Sequence, residues 1–320
     1  MRRGLIVVLG SWLLATAARA DCDDPALTRA AAAALSTVDA DPLVLARREG
    51  STLPFVRGLR IADGDPDRGS SVVEAFVTHL AEEVRAPVVC GEASSEGRRL
   101  VLAGPRAAEL SVEDGRVTVR LAEGWRDPRL YVRDAAGDTF ETGFAEGRVD
   151  LPSDLAPPLD LQVVATGPEG PRPVAERAPP PAPAAPTTVV PRSDEPVARR
   201  IDRLREAGGV RTLRPNRLLD RVAARHAAGV CRSGRVAHLG EGGDPVERLA
   251  REGIRARHVG ETVARAEDLE AAYAAMLRSP SHRAALSDAR MTDVGVGRAN
   301  GRCLVVLLAA WPRAVPFGAP

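Results

Sequence analysis

The stretch VGVGRANGRCLVVLLAAW, residues 294–311, decides the fold of the last third of this chain. Two apolar runs flank Asn300 and Gly301, a pair that favours a two-residue β-turn because both residues tolerate a positive φ angle. The stretch therefore predicts a β-hairpin with strands over Val294–Ala299 and Arg302–Trp311. Helical patterns precede it, and helices that flank such a hairpin give an α+β sandwich of about 120 residues.

Apolar residues at helical spacing predict five helices before the hairpin. Asp244, Pro245 and Glu247 supply an N-cap, a proline in the first turn and an acid at the third position, which together predict a helix start. Ser279 and Pro280 predict a second start of the same kind. The five predicted helices begin near residues 194, 215, 245, 269 and 280.

The first 20 residues have the pattern of a signal peptide. Arg2 and Arg3 form the positive region, Leu5–Ala18 is largely apolar, and a small-x-small cleavage site ends at Ala20. An N-terminal anchor that is never cleaved is the alternative. No later segment approaches the roughly 20 apolar residues of a membrane span. We expect the mature chain to begin near Asp21, without a transmembrane segment, and to be secreted or periplasmic.

The four cysteines, Cys22, Cys90, Cys231 and Cys303, allow three pairings. An oxidising compartment makes disulfides the default. The cysteines divide two and two across a proline-rich stretch, and a bridge within each half is the simplest arrangement. We therefore expect the pairs Cys22–Cys90 and Cys231–Cys303.

Length and composition bound the domain organisation. A chain of 320 residues suggests two or three domains, and its net charge of +1 gives no reason to expect nucleic acid as a partner. Ten of the thirty residues from Gly167 to Pro196 are proline, which is typical of a linker. The expected organisation is a signal peptide at 1–20, a mainly helical region at 21–104, a small β-rich module at 105–176, a proline-rich linker at 177–196, the α+β domain at 197–313 and a tail at 314–320.

The two regions before the linker have different patterns of apolar residues. Val73, Val77, Leu80 and Val84 form one apolar face of a predicted helix. Short apolar runs separated by glycine-containing turns follow between residues 109 and 175, and they predict a small antiparallel β-sandwich. Neither region carries a motif for chemistry, so we expect packing or surface-presenting modules.

The candidate site residues are His238, Glu261 and His282. They lie far apart along the chain, so only the fold can bring them together. Two imidazoles and a carboxylate in one cleft are able to hold a divalent metal or a hydrogen-bonding ligand.

Several blocks around these residues occur in a fixed order. The blocks are Ile201-Asp202-Arg203-Leu204-Arg205, Ala237-His238, Asp244-Pro245 with Arg248, Gly260-Glu261-Thr262-Val263-Ala264, Ser279-Pro280-Ser281-His282-Arg283 and Val294-Gly295-Val296-Gly297. Together they resemble the CAP superfamily of cysteine-rich secretory, antigen 5 and pathogenesis-related 1 proteins, also called the SCP domain. The bacterial YkwD-like branch is the most similar. The resemblance covers residues 197–311.

This resemblance implies an α-β-α sandwich with a large cleft. Members of the family place two histidines and one or two glutamates in that cleft, and some bind zinc or another divalent ion. By motif match, His238, Glu261 and His282 carry over as cleft residues and as metal ligands, with Zn²⁺ or another divalent cation as the cofactor.

The sequence departs from the family pattern in two places. Thr262 follows Glu261 where the family has an asparagine, and Met276 stands where a tryptophan is common. A second cleft glutamate is not identified, since Glu267 and Glu270 lie on a predicted helix where exposure is expected.

Three further residues are weaker site candidates. His226 faces an apolar helix stripe, which favours a hydrogen-bonded core histidine over a ligand. His258 lies in an arginine-rich loop and is expected to be peripheral. Ser281 precedes His282, but adjacent residues on a helical turn point in different directions, so the pair is poor support for a catalytic dyad.

The expected function is binding rather than catalysis. An exported protein of this family could bind a small hydrophobic ligand, an envelope component or a divalent ion in its cleft. One alternative is a metal-dependent hydrolase or peptidase that uses His238, Glu261 and His282. The other is a structural envelope or adhesion protein with a vestigial cleft.

Overall fold

The computed structural model describes residues 22–37, 41–62, 66–179 and 195–311. The predicted signal peptide, most of the predicted linker and the tail lie outside these residues, as does the start predicted near residue 194 for the first C-terminal helix. Three groups of helices and strands follow one another along the chain.

The first group, the N-terminal module, contains α1 (Pro25–Ser36), α2 (Pro42–Arg48), β1 (Arg57–Ala62), α3 (Pro66–Val84), β2 (Val88–Ser95) and β3 (Arg98–Pro105). The second, the central β-module, contains β4 (Ala108–Glu113), β5 (Arg116–Leu121), β6 (Arg126–Arg133), β7 (Thr139–Gly143), β8 (Arg148–Asp150), β9 (Asp160–Gly167) and β10 (Gly170–Arg177). The third, the C-terminal domain, contains α4 (Val197–Ala207), β11 (Arg214–Pro215), α5 (Arg217–Ser233), α6 (Pro245–Arg251), β12 (His258–Arg265), α7 (Leu269–Arg278), α8 (Pro280–Leu286), β13 (Asp293–Ala299) and β14 (Cys303–Ala310).

The N-terminal module contains three strands in addition to its three helices, and the prediction of a mainly helical region at 21–104 did not include these strands. Strands β1, β3 and β2 form an antiparallel sheet in that order. Helices α1 and α2 cover the face that carries Leu100 and Leu102, and α3 covers the face that carries Val101 and Ala103. These strands are short apolar runs, whose periodicity does not distinguish a strand from a buried helical segment.

The central β-module consists of two antiparallel sheets around one apolar cluster. The strand orders are β10-β9-β6-β7 and β4-β5-β8. Val117, Leu130 and Val163 are fully buried in the shared cluster. Strand β10 includes Pro171 and Pro173, and it accommodates them because an edge strand leaves some backbone N–H positions unpaired.

The C-terminal domain has helices on both faces of the sheet β11-β13-β14-β12. Leu304, Val306 and Leu308 of β14 pack in a cluster with α4, α7 and α8. The alternate residues Val305 and Leu307 pack in a second cluster with α5 and α6. Every residue of β14 is buried, as expected for a strand covered on both sides. The predicted α+β class is confirmed.

The predicted hairpin between β13 and β14 is confirmed. Its turn residues Asn300 and Gly301 have φ angles of 47° and 64°, as a two-residue turn of this kind requires. The capping box predicted at Asp244 and Glu247 is also present, with both reciprocal hydrogen bonds formed. Ser279 caps α8 by accepting a hydrogen bond from the backbone N–H of His282.

Both predicted disulfides are present. Cys22–Cys90 ties the start of the described chain to β2, and Cys231–Cys303 ties the last turn of α5 to the first residue of β14. Among the described residues, no helix is long and apolar enough to cross a membrane.

Two glycines of β13 allow α5 to lie directly on the sheet. A Cβ at Gly295 would stand 2.3 Å from the carbonyl carbon of Leu219, and one at Gly297 would stand 2.1 Å from that of Ala223. Both neighbours are helix backbone atoms, which cannot move aside as a side chain can. The Val-Gly-Val-Gly pattern therefore sets the distance between helix and sheet.

We expect Gly297→Ala to lower the free energy of unfolding by about 3 kcal/mol because α5 would have to move off the sheet. Urea titration followed by circular dichroism measures this loss. Gly143→Ala is the matched control, since a Cβ there meets nothing within 4 Å. Equal stability of the two variants would contradict the proposed close contact.

Candidate functional site

Glu261 lies in the middle of β12, a strand that the sequence did not predict. The strand begins at His258, which was expected in a loop, and it has few strongly apolar residues. The strand forms because β14 offers a fully apolar neighbour, with Glu261 directly opposite Leu307. This pairing fixes the position of the carboxylate at the edge of the buried sheet.

The Glu261 carboxylate is buried and fully engaged. Its side chain is 2% exposed and its Oε1 lies 2.9 Å from His238 Nδ1. Its Oε2 accepts a hydrogen bond from Arg248 Nη2. The other terminal nitrogen of Arg248 donates to the carbonyl oxygens of His238, at 2.8 Å, and Gly243, at 2.6 Å.

Arg248 is the partner that the prediction did not include among the site residues. It lies on α6, and its side chain is 5% exposed. A buried guanidinium needs a carboxylate or several carbonyl oxygens as acceptors, and Arg248 has both. The sequence did offer a signal for Arg248. The residue lies four positions after the helix cap Asp244, in one of the blocks that carry the family resemblance.

His226 is a core histidine that also borders the network. Its Nε2 lies 2.9 Å from the carbonyl oxygen of Ala237, to which it donates when protonated on that nitrogen. The same nitrogen is 3.8 Å from Glu261 Oε1. Burial lowers the pKa of His226, and the negative charge of Glu261 opposes this shift. His226 therefore helps to enclose the carboxylate.

His282 is held at the start of α8 as a neutral imidazole. Part of the residue reaches the surface, but its Nδ1 atom is buried and has no hydrogen-bond partner. Burial and, to a smaller extent, the neighbouring His238 lower the pKa of His282 to about 4. The structure thus pairs His238 with Glu261, and it places His282 near enough to His238 for the two imidazoles to interact electrostatically.

This arrangement does not fit a zinc site with three protein ligands and a water. Such a site needs a free carboxylate oxygen and two free imidazole nitrogens that converge on one point. Both oxygens of Glu261 are already paired, with His238 and Arg248. Within residues 22–37, 41–62, 66–179 and 195–311, no group of three His, Cys, Asp or Glu side chains is placed to hold a metal ion.

The serine beside His282 has other partners. The Ser281 Oγ lies 3.3 Å from the Ser279 Oγ, and the Ser281 backbone N–H donates to the side-chain oxygen of Gln162 at 3.0 Å. Ser279 Oγ donates to the same oxygen of Gln162 at 3.0 Å. These serines bind the central β-module rather than an activating imidazole.

Comparison with known proteins identifies the domain that holds this network. Residues 198–308 match the family model of the CAP, or cysteine-rich secretory protein, family. The C-terminal domain is a CAP domain. The family resemblance of the sequence blocks is thereby confirmed for this part of the chain. No match is found among the curated proteins.

Three solved structures are similar to parts of the chain. An extracellular protein with an SCP domain from Bacillus anthracis is 22% identical over 34% of this chain and 37% of its own length, with a TM-score of 0.33. An outer surface protein from Borrelia burgdorferi is 22% identical over 36% of this chain and 90% of its own, with a TM-score of 0.34. A cysteine-rich secretory protein from Staphylococcus aureus is 9% identical over 73% of this chain and 90% of its own, with a TM-score of 0.32.

The central β-module packs against His238 and the start of α8 in the CAP domain. The Leu239 backbone N–H donates to the carbonyl oxygen of Glu169 at 3.2 Å. A Cβ at Gly170 would stand 3.5 Å from the Cβ of His238. Gln162, 1% exposed, joins the start of α8 to β9. His238 and the start of α8 therefore lie at the seam between the CAP domain and the central β-module.

Two cavities flank this seam. The first, the arginine cavity, has a volume of about 540 Å³. It takes Arg85 from the N-terminal module and Glu169 from the central β-module, together called the front modules, and Arg225, Arg232 and Arg235 from the CAP domain. The second, the seam groove, has a volume of about 400 Å³ and lies between the β6–β7 hairpin and α8. Its lining comprises Tyr131, Thr139, Phe140, Glu141, Val259, Gly260, Ser281, Ala284, Ala285, Ser287, Asp288, Arg290 and Met291.

We expect the stability of the protein to fall with pH between about 6.5 and 4, in part through His282. The unfolded chain binds a proton near the ordinary histidine pKa of 6.5, whereas the folded chain binds it only near pH 4. Stability that is present above 6.5 is thus lost as the pH falls through this window. His226, whose pKa is also lowered, acts in the same direction.

His282→Gln should remove about 2–3 kcal/mol of the difference in unfolding free energy between about pH 7.5 and pH 4.5. Urea titration at both pH values measures it. His79→Gln, on the exposed face of α3, is the control and should keep the full pH dependence. An unaltered pH dependence in His282→Gln would show that the ring is not kept neutral by burial.

Proposed function

We propose that this chain is an exported, YkwD-like CAP-domain protein that binds an envelope component and uses His238, Glu261 and His282 for structure rather than for catalysis. The observation that carries this proposal is the state of Glu261. A general base needs a free carboxylate oxygen aimed at water or substrate. Both oxygens of Glu261 are bound by Arg248 and His238 inside the domain.

Export is supported by two independent features. The sequence begins with the pattern of a signal peptide. All four cysteines are paired in disulfides, which persist in oxidising compartments.

The linings of the cavities favour a polar envelope component over a small hydrophobic ligand. Hydrophobic ligands bind in apolar, enclosed cavities. The arginine cavity is lined by four guanidiniums, and the seam groove by hydroxyl groups, carboxylates and Arg290. Both cavities combine residues of the CAP domain with residues of the front modules, so the binding unit comprises both halves of the chain.

A metal-dependent hydrolase remains the rival function, and Glu261→Gln separates it from binding. If Glu261 is structural, we expect this variant to lose about 3–5 kcal/mol of stability, because the buried, charged Arg248 side chain loses its carboxylate partner. Glu109→Gln, at an exposed ion pair on β4, is the control and should change stability by less than about 1 kcal/mol.

Turnover by the full mature chain on peptide and ester libraries gives the second measurement. We expect no difference between wild type and Glu261→Gln at a temperature where both are folded. Activity that is present in the wild type and lost in Glu261→Gln, with little change in stability, would establish the hydrolase and end the structural interpretation of the carboxylate.

Binding itself is tested by sedimentation of the mature chain with isolated cell-envelope material. We expect the protein to pellet with the envelope and to remain in solution without it. Recovery of all the protein in the supernatant would contradict the proposed function. Pelleting by a separate fragment of residues 22–179, with no contribution from the CAP domain, would support the adhesion alternative instead.

A further inference from the structure

The arginine cavity carries more positive than negative charge. Its lining contains four arginines, Arg85, Arg225, Arg232 and Arg235, and two glutamates, Glu169 and Glu241. An adjoining cavity of about 350 Å³ shares Arg225, Arg232 and Glu241 and adds Arg248, Arg251 and Glu252. The chain as a whole has a net charge of only +1, so this accumulation of arginines is local.

One buried carboxylate, that of Glu169, neutralises part of this positive charge. Glu169, with a side chain 4% exposed, pairs with Arg235 and lies 3.0 Å from Arg172 and 3.6 Å from Arg85. A single negative charge is thus shared by three guanidiniums from three modules. The pKa of Arg172 is lowered, first by burial and then by the positive charge of Arg85. The positive field at this point is therefore not fully neutralised.

Arg232 and Arg225 form exposed ion pairs, which solvent weakens. The side chain of Arg232 is 65% exposed and that of its partner Glu241, 3.1 Å away, is 88% exposed. Arg225 is 58% exposed and pairs with Glu252 at 2.6 Å. Exposed ion pairs contribute at most about 1 kcal/mol, so both guanidiniums can turn toward an anion at little cost.

We propose that the arginine cavity is a binding site for an anionic saccharide, recognised through a phosphate or carboxylate group. The planar guanidinium donates two parallel hydrogen bonds to such groups. A volume of about 540 Å³ lies in the range of small-molecule sites and is far larger than a single ion needs. This inference rests on the proposed binding function and gives the chemical class of its ligand.

The site is composite. Arg85 directly follows α3 of the N-terminal module, Glu169 lies in the β9–β10 turn, and Arg225 and Arg232 lie on α5. His226 also lines the cavity. The anion thus meets groups from three modules, with Arg225 and Arg232 on the exposed side.

The test is calorimetric titration of the full mature chain with glucose 6-phosphate, glucuronate, inorganic phosphate and glucose. We expect binding of one or both sugar anions, at least about tenfold weaker binding of inorganic phosphate, and none of glucose. The variant Arg225→Gln/Arg232→Gln should bind at least tenfold more weakly. Arg120→Gln, at an exposed ion pair on β5, should bind as the wild type does.

Three results would overturn the proposal: no binding of either sugar anion, equal binding of glucose, or unaltered affinity in the double variant. Binding of inorganic phosphate as tight as that of glucose 6-phosphate would also contradict a saccharide site, because the cavity would then recognise the ion alone. Thermal unfolding of the double variant confirms that it is folded. Envelope sedimentation without sugar-anion binding would contradict this inference alone, whereas loss of sedimentation with sugar-anion binding intact would contradict the envelope function.

Discussion

The buried pair of Glu261 and Arg248 organises the CAP domain of this protein. A buried carboxylate is costly unless each oxygen finds a donor, and Arg248 and His238 supply those donors. Arg248 also holds the carbonyl oxygens of His238 and Gly243, so it fixes the loop between α5 and α6. The position of His238 follows from this one ion pair.

Polar contacts of the same kind join the modules. Glu169 binds arginines of three modules, and Gln162 links the CAP domain to Glu176 of β10, which in turn pairs with Arg47 of α2. Apolar interfaces tolerate small shifts, but hydrogen-bonded interfaces fix orientation because each donor must meet its acceptor. The seam and its two cavities are therefore defined features of the fold.

The sequence predicted the C-terminal domain well because its signals are local: a two-residue turn, a capping box and apolar periodicity. It missed β12, since that strand is stabilised by β14 rather than by its own residues. It also missed the three strands of the N-terminal module, whose short apolar runs are ambiguous. The contact between the central β-module and the CAP domain could not be predicted, because Gln162 and Ser279 are 117 residues apart and neither belongs to a motif that indicates this contact.

The placement of the disulfides has a consequence for proteolysis. Cys22–Cys90 and Cys231–Cys303 each lie within one half of the chain, so no covalent bond other than the main chain joins the halves. Cleavage between residues 179 and 195 would leave two fragments with no covalent bond between them. The Glu169 and Gln162 contacts would keep these fragments together as a non-covalent complex.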